Sequence, residues 1–299
     1  MSASPAAALV NDYLLSFLLG VIEGLTEFLP VSSTAHLRIA EALFGVNLAD
    51  GYWKMYSIVI QLGAILSLPF YFRQRIAGFV ADFPRGARGD RNWLTHPLGL
   101  TLIAFACTAV PSLLSTRLIG KHLESLRLMA WALIVGGIVM WAVDAWAARR
   151  AARTERMDDM GPGQAVWIGL CQVMAAVFPG VSRSMATIAA GQTAGMTRIA
   201  ALEFSFFLSI PTMAAATGYD FVKSLRAGSG AGEAHLGSFA MDAHGWMVLG
   251  IGFVVSFLVA LGSVAWFMRW VRTRGFVPFA VYRIASGILV LAWVWRSGS

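Results

Sequence analysis

Residues 245 to 268 read GWMVLGIGFVVSFLVALGSVAWFM, with no charge and no polar stripe at the helical period. A helix that faces water carries polar side chains along one face, so a stretch apolar all round must be surrounded by hydrocarbon or by protein. About 20 such residues span the ~30 Å apolar core of a bilayer, where every backbone N–H and C=O has to be paired within the segment, as a helix does. Similar runs recur at about 52–72, 97–117, 125–147, 198–221 and 276–295. Composition agrees, with 58% hydrophobic and 13% charged residues in 299 and a mean hydropathy of +0.67. A soluble chain is therefore excluded, and an all-α polytopic membrane protein forming one membrane domain over residues 1–299 is expected. The opening MSASPAAALVNDYLLSFLLG has no basic n-region and is interrupted by Asp12, so it reads as a retained helix rather than a cleaved signal peptide. Cys107 and Cys171, both inside apolar segments, read as small buried hydrophobes, not as a disulfide or a metal site.

Two further hydrophobic segments, 9–45 and 163–195, are broken in the middle by Pro30 and by Pro179-Gly180, where serines replace aliphatics. Each half is short for a crossing. Two half-helices meeting at a polar break suggest a re-entrant hairpin, which a bilayer tolerates only where the irregular backbone is buried in protein or lines a wet cavity.

Arginines fix the sides. Arg73, Arg75, Arg85, Arg88 and Arg91 follow the first full span, Arg149, Arg150, Arg153 and Arg156 the third, and Arg269, Arg272 and Arg274 the fifth, so these connections are expected on the cytoplasmic side. The 118–124 and Gly-rich 225–244 connections then fall outside. The net charge of +7 is mostly this topology signal, and nucleic acid is not expected as a partner. Hairpin 9–45 must enter from outside and hairpin 163–195 from the cytoplasm. The reading is an inverted-topology repeat of six full transmembrane helices plus two re-entrant helical hairpins: a first repeat over about 9–147 and a second over about 163–296, with a site where the two breaks meet. GLTE before PVSST (24–34) and GLCQ before PGVSRS (169–184) echo each other across the halves.

The breaks carry chemistry. Glu23 and Glu27 lie one helical turn apart below Pro30, and carboxylates in a membrane segment need a cavity, a cation or a partner; pairing to arginines that pack the helices is the plainer alternative. Ser32, Ser33 and Thr34 resemble a capping cluster, and capping accounts for at least one of them. His36 lies one turn beyond Ser33; a helix histidine is often a hydrogen-bonded core residue, but beside serines and glutamates it is a candidate acid, base or nucleophile. In the second break Arg183 lies between Ser182 and Ser184 at the start of a half-helix, with Thr187 a turn on. A guanidinium fork, hydroxyls and free N–H groups at a helix N-terminus suit phosphate. An arginine snorkelling to an interface is the alternative. Together the breaks lay out phosphoryl transfer on a substrate whose remaining bulk is lipid.

At EGLTEFLPVSSTAHL (23–37) and PGVSRS (179–184), with IQLGAI (60–65) and FSFFLSIP (204–211) in support, the chain resembles the undecaprenyl-diphosphate phosphatases, integral membrane enzymes that recycle the bacterial cell-wall lipid carrier. The resemblance covers nearly the whole chain. It implies hydrolysis of undecaprenyl diphosphate to the monophosphate in the bacterial inner membrane, a site open to the periplasmic side, and bacitracin resistance. It also implies a catalytic set of Glu23, Glu27, Ser33, His36 and Arg183, with Ser182 and Thr187 in support; Ser32, Thr34 and Ser184 are expected to join Ser182 and Thr187 in binding phosphate. Ser33 is then the expected nucleophile, with Glu27 and His36 moving protons, although Ser33 and His36 could exchange roles. Glu23 would hold a divalent cation, magnesium or calcium, or else orient Glu27. No organic cofactor is implied; the expected partners are the polyprenyl diphosphate and membrane lipids, and a homodimer stays open. Met185 departs from the Gly that often follows Ser-Arg-Ser in the family and is expected to narrow the cavity beside Arg183. A polyprenyl-phosphate transporter or flippase would use the same repeats but would have no use for Ser33 beside His36. A purely structural scaffold would not need Glu23 and Glu27 buried.

Overall fold

The computed structural model describes residues 11–46, 51–115, 125–226 and 242–297. These form eleven α-helices: α1 (Asp12–Thr26), α2 (Ser33–Phe44), α3 (Gly51–Tyr71), α4 (Arg73–Asp82), α5 (Pro97–Leu114), α6 (Leu126–Ala147), α7 (Pro162–Val177), α8 (Arg183–Thr193), α9 (Arg198–Arg226), α10 (Ala243–Thr273) and α11 (Val277–Ser297). Among the described residues there is no strand, only an isolated bridge between Thr154 and Met196. Helices α5, α6, α9, α10 and α11 are each long and apolar enough to cross a membrane. Met55–Tyr71 and Arg73–Asp82 together make a sixth, bent by 65°. The protein is thus an all-helical, multi-pass membrane protein. Most of the 118–124 and 225–244 connections lies outside the described residues.

The stretch after the first span, read as a loop, is partly helical: α4 follows a break at Phe72, three residues beyond Pro69, which removes a backbone donor inside α3. All α4 side chains are at least partly exposed.

Small residues set the packing, because helices surrounded by lipid gain by close approach rather than by escaping water. Gly20 and Gly24 lie on α1 against α10, where an added Cβ at Gly20 would stand 2.9 Å from the Gly252 carbonyl oxygen and one at Gly24 2.7 Å from that of Ser256. In the second half, a Cβ on Gly169 of α7 would collide with the Ala104 carbonyl of α5. Helices α6 and α11 approach through Gly137 and Gly287, facing the carbonyls of Ala280 and Ala130.

The basic connections gather at one end. Arg75 pairs with Asp158 at 2.8 Å and with Glu203 at 2.6 Å, and Arg91 lies 3.7 Å from Asp159. Asp144, buried at the end of α6, accepts from Arg198 Nε at 2.7 Å, from Gln192 at 3.0 Å and from the Phe276 N–H at 3.1 Å. The starts of α1, α3 and α10 meet elsewhere: His244 bonds Asp12 at 3.0 Å and Tyr13 at 2.8 Å, and Tyr52 donates to the Gly245 carbonyl at 3.0 Å.

Candidate active site

Two irregular segments, one between α1 and α2 and one between α7 and α8, meet inside the helix bundle. The residue before each following helix is a serine with positive φ: Ser32 at φ 75°, ψ 92° and Ser182 at φ 73°, ψ 122°. Non-glycine residues in this region cost on the order of 1–3 kcal/mol and persist only where the surroundings enforce them, most often at functional sites. Gly180, at φ +92°, has no room for a side chain, since its Cβ would stand 2.8 Å from the Met129 carbonyl oxygen.

The breaks enclose a cavity of about 60 Å³, lined by Glu27, Ser32, Ser33, Thr34, Ala175, Pro179, Gly180, Ser182 and Arg183. The space has room for a few waters. The first residues of both α2 and α8 border it. Two helix N-termini, each with unpaired N–H groups and a positive dipole end, therefore converge on one small polar space, which suits an anion.

Three of the expected catalytic residues form one contact chain. Ser33 Oγ donates to Glu27 Oε2, and Arg183 Nη2 donates to Glu27 Oε1. The Glu27 side chain is almost fully buried while that of Arg183 keeps about a quarter of its surface exposed. Glu23, fully buried, lies against Glu27, and among the described residues no hydrogen-bond donor reaches either of its carboxylate oxygens. Two carboxylates beside one arginine need a further proton or cation to be held there together.

His36 is not brought into this chain. Its Nδ1 lies 2.7 Å from the Ser32 carbonyl, which has no proton to give, so Nδ1 carries one; Nε2 is hydrogen-bonded to the Tyr282 hydroxyl at 2.7 Å. The two rings stack at 5.5 Å. Thr34 and Ser182 line the cavity, and Ser182 also caps α8, accepting from the Met185 N–H at 3.4 Å. Ser184 ties the breaks together by donating to the Leu29 carbonyl at 3.0 Å. Thr187 is buried away from the cavity, bonded to the Arg183 carbonyl at 2.9 Å and to Ser205 at 2.6 Å. Met185 does not line the cavity; its methyl group faces Gly136 of α6. Sequence reasoning passed over Tyr282 and the buried Arg283, although an arginine within the last apolar span is itself a signal, being costly there unless a structure uses it.

The fold and this site define a multi-pass α-helical membrane protein with a buried serine–carboxylate–arginine cluster at two helix breaks. Residues 16–289 match the family described as bacitracin resistance protein BacA, and the chain belongs to it. It is similar to the undecaprenyl-diphosphatase of Koribacter versatilis (strain Ellin345), 68% identical over 284 residues that cover 95% of this chain and 99% of that protein. The undecaprenyl-diphosphatases of Caldanaerobacter subterraneus subsp. tengcongensis and Rhizobium leguminosarum bv. trifolii are 38% and 41% identical, covering 92% and 94% of this chain and 94% and 96% of theirs.

Proposed function

We propose that this chain hydrolyses the phosphoric anhydride of undecaprenyl diphosphate, releasing inorganic phosphate and undecaprenyl phosphate, at the cavity where the two breaks meet. The chain is a membrane phosphatase, and bacitracin resistance follows from its consuming the lipid diphosphate that the antibiotic sequesters. Near end-to-end similarity to undecaprenyl-diphosphatases supports the reaction. The observation that carries the site is the hydrogen bond from Ser33 to Glu27, whose other oxygen holds Arg183.

A serine hydroxyl is a weak nucleophile until a base takes its proton, and Glu27 is already in hydrogen-bond contact with it. Ser33 Oγ attacks the terminal phosphorus, its proton passes to Glu27, and the anhydride P–O bond breaks with undecaprenyl phosphate leaving. Water then attacks the phosphoserine, frees phosphate and returns a proton to Ser33. Arg183 and the N-termini of α2 and α8 take the negative charge that builds on the phosphoryl oxygens. An incoming phosphate competes with Glu27 for the Arg183 guanidinium, so binding loosens the ion pair and frees Glu27 to act as base. Ser32, Thr34 and Ser182 add hydroxyls at the cavity wall, Ser184 and Thr187 hold the backbone behind it, and His36 moves a proton only after leaving Tyr282.

A divalent cation of the kind the family resemblance implies would be held by Glu23, whose two buried oxygens have no donor among the described residues, joined by Glu27 once it releases Arg183, since hard cations bind through one or two carboxylates together with phosphate oxygens. Bound there, magnesium or calcium would neutralise diphosphate charge.

The inverted repeat, with 9–45 and 163–195 as re-entrant hairpins, is the architecture we propose around this site. It is supported by paired features: α1 packs on α10 as α7 packs on α5, through Gly24 and Gly169, and Ser32 and Ser182 share one unusual backbone conformation. The starts of α1 and α3 lie together, as do the start of α7 and the end of α8, where Gln164 donates to the Ala194 carbonyl at 2.9 Å. With the arginine end in the cytoplasm, the first hairpin enters from the periplasmic side of the inner membrane, to which the site opens. Purified protein in detergent should release phosphate from undecaprenyl diphosphate. Absence of release would instead favour a carrier of the lipid phosphate, built on the same repeats.

A further inference from the structure

Arg283 of α11 is fully buried, and no carboxylate among the described residues lies within ion-pair distance of it. A buried, unpaired cation is expensive, so its hydrogen bonds have to account for its presence. Its Nη1 donates to the Pro30 carbonyl at 3.0 Å. Its Nη2 donates to the carbonyls of Gly180 at 3.1 Å, Val181 at 3.0 Å and Ala132 at 3.1 Å. Pro30 belongs to the first break and Gly180 and Val181 to the second; all three lie outside helices, where membrane-buried carbonyls need a donor from elsewhere. One guanidinium thus clamps both breaks at once. Gly136 makes room for it: a Cβ there would collide with Nη2 and stand 3.1 Å from Cζ.

We propose that Arg283 is a positioning residue which, by holding the carbonyls of both breaks, sets the separation between Ser33 on one and Arg183 on the other. Pro30 is three residues before Ser33, and Gly180 and Val181 immediately precede the Ser182–Arg183 start of α8. A shift of either segment therefore moves the nucleophile relative to the phosphate clamp. A lysine keeps the charge but offers a single nitrogen in place of the fork that spans both segments. The inference rests on the site reading given above, so its test needs one readout that does not depend on catalysis.

That readout is the distance between spin labels at Leu25→Cys and Phe178→Cys, two exposed positions just before the breaks, in protein with Cys107 and Cys171 replaced by alanine. Arg283→Lys should broaden the distribution and lower kcat for undecaprenyl diphosphate by at least about tenfold, with KM within about threefold, since misplaced reacting groups cost rate rather than ground-state binding. Gly136→Ala, which displaces the guanidinium without altering charge and keeps a good helix former, should reproduce both effects and keeps the test alive where Arg283→Lys fails to fold. An unchanged distribution with either variant overturns the proposal. So does a rise in KM at constant kcat, which would make Arg283 a phosphate ligand, or a lowered Tm with normal kcat per folded molecule, which would make it a structural brace only. Full turnover in Ser33→Ala would sink the site reading while leaving the distance measurement to decide on Arg283.

Discussion

Glu27 joins the two halves of the site, so its neighbours define what it does. One carboxylate oxygen faces the Ser33 hydroxyl and the other the Arg183 guanidinium. Glu27→Gln removes the base and leaves Arg183 without its counter-charge, and kcat should fall by about 10²–10⁴, the range for a general base, in a phosphate-release assay. A loss under threefold would move the base elsewhere. Arg183→Lys keeps the charge and gives up the fork; because charge-assisted hydrogen bonds contribute about 1.5–3 kcal/mol each, kcat/KM should drop at least about tenfold with membrane insertion intact. Near-normal kinetics would withdraw the phosphate-clamp role. Inactive Ser33→Ala that accumulates phosphate on His36 would transfer the nucleophile to the histidine. For Glu23, whose oxygens have no donor among the described residues, Glu23→Gln should raise the magnesium or calcium concentration needed for half-activity by at least about tenfold, if carboxylate charge is what binds the ion. An unaltered metal requirement would return Glu23 to orienting Glu27.

At the scale of elements, the site depends on helices that come close enough to hold two irregular segments together. α1 presents Gly20 and Gly24 to a facing row of small residues, Gly252, Ser256 and Ala260, on α10. The contact is backbone to backbone. Gly24→Val would drive methyl groups into the Ser256 carbonyl and Val259, and overpacking of this kind costs about 1–3 kcal/mol, so Tm in detergent should fall by several degrees. Since α1 carries Glu23 and Glu27, the variant should also lose activity beyond its loss of folded protein. A Tm equal to that of the parent would show that α1 and α10 do not pack through these glycines. α2 and α8 contribute differently, through where they begin. Each begins directly after a serine with positive φ, which turns both helix N-termini onto the same cavity.

At the scale of the molecule, the arginine-rich connections lie at one end, tied by Arg75, Asp158, Glu203 and Asp144. A cysteine at Arg88 should therefore label only after the membrane is opened, and one at Ala243, beside the opposite cluster of Asp12 and His244, should label from the periplasm. Labelling of both from one side would break the inverted repeat. Much of this was legible in the chain. Segments of about 20 residues apolar all round, recurring along the chain, read as membrane helices, because unpaired backbone is too costly in hydrocarbon, and the arginines between them gave an expected orientation. Pro30, Pro179 and Gly180 marked the breaks, and polar residues beside them marked the chemistry, since polar groups in a membrane need a reason to be there. Other features had no linear signal. Glu27 and Arg183 meet across 156 positions of sequence, whereas His36, three residues from Ser33, turns to Tyr282 because helical geometry and a distant hydroxyl aim its ring away. The α4 bend at Phe72 and the seat of Met185 against Gly136 were equally unreadable. Periodicity and charge act within a segment and against the bilayer, so the sequence by itself determined which long segments are membrane helices and the residue types at the site. Which side chains touch depends on how helices far apart in the chain pack, so only the tertiary structure decided that Ser33, Glu27 and Arg183 form one cluster and that Arg283 holds both breaks around it.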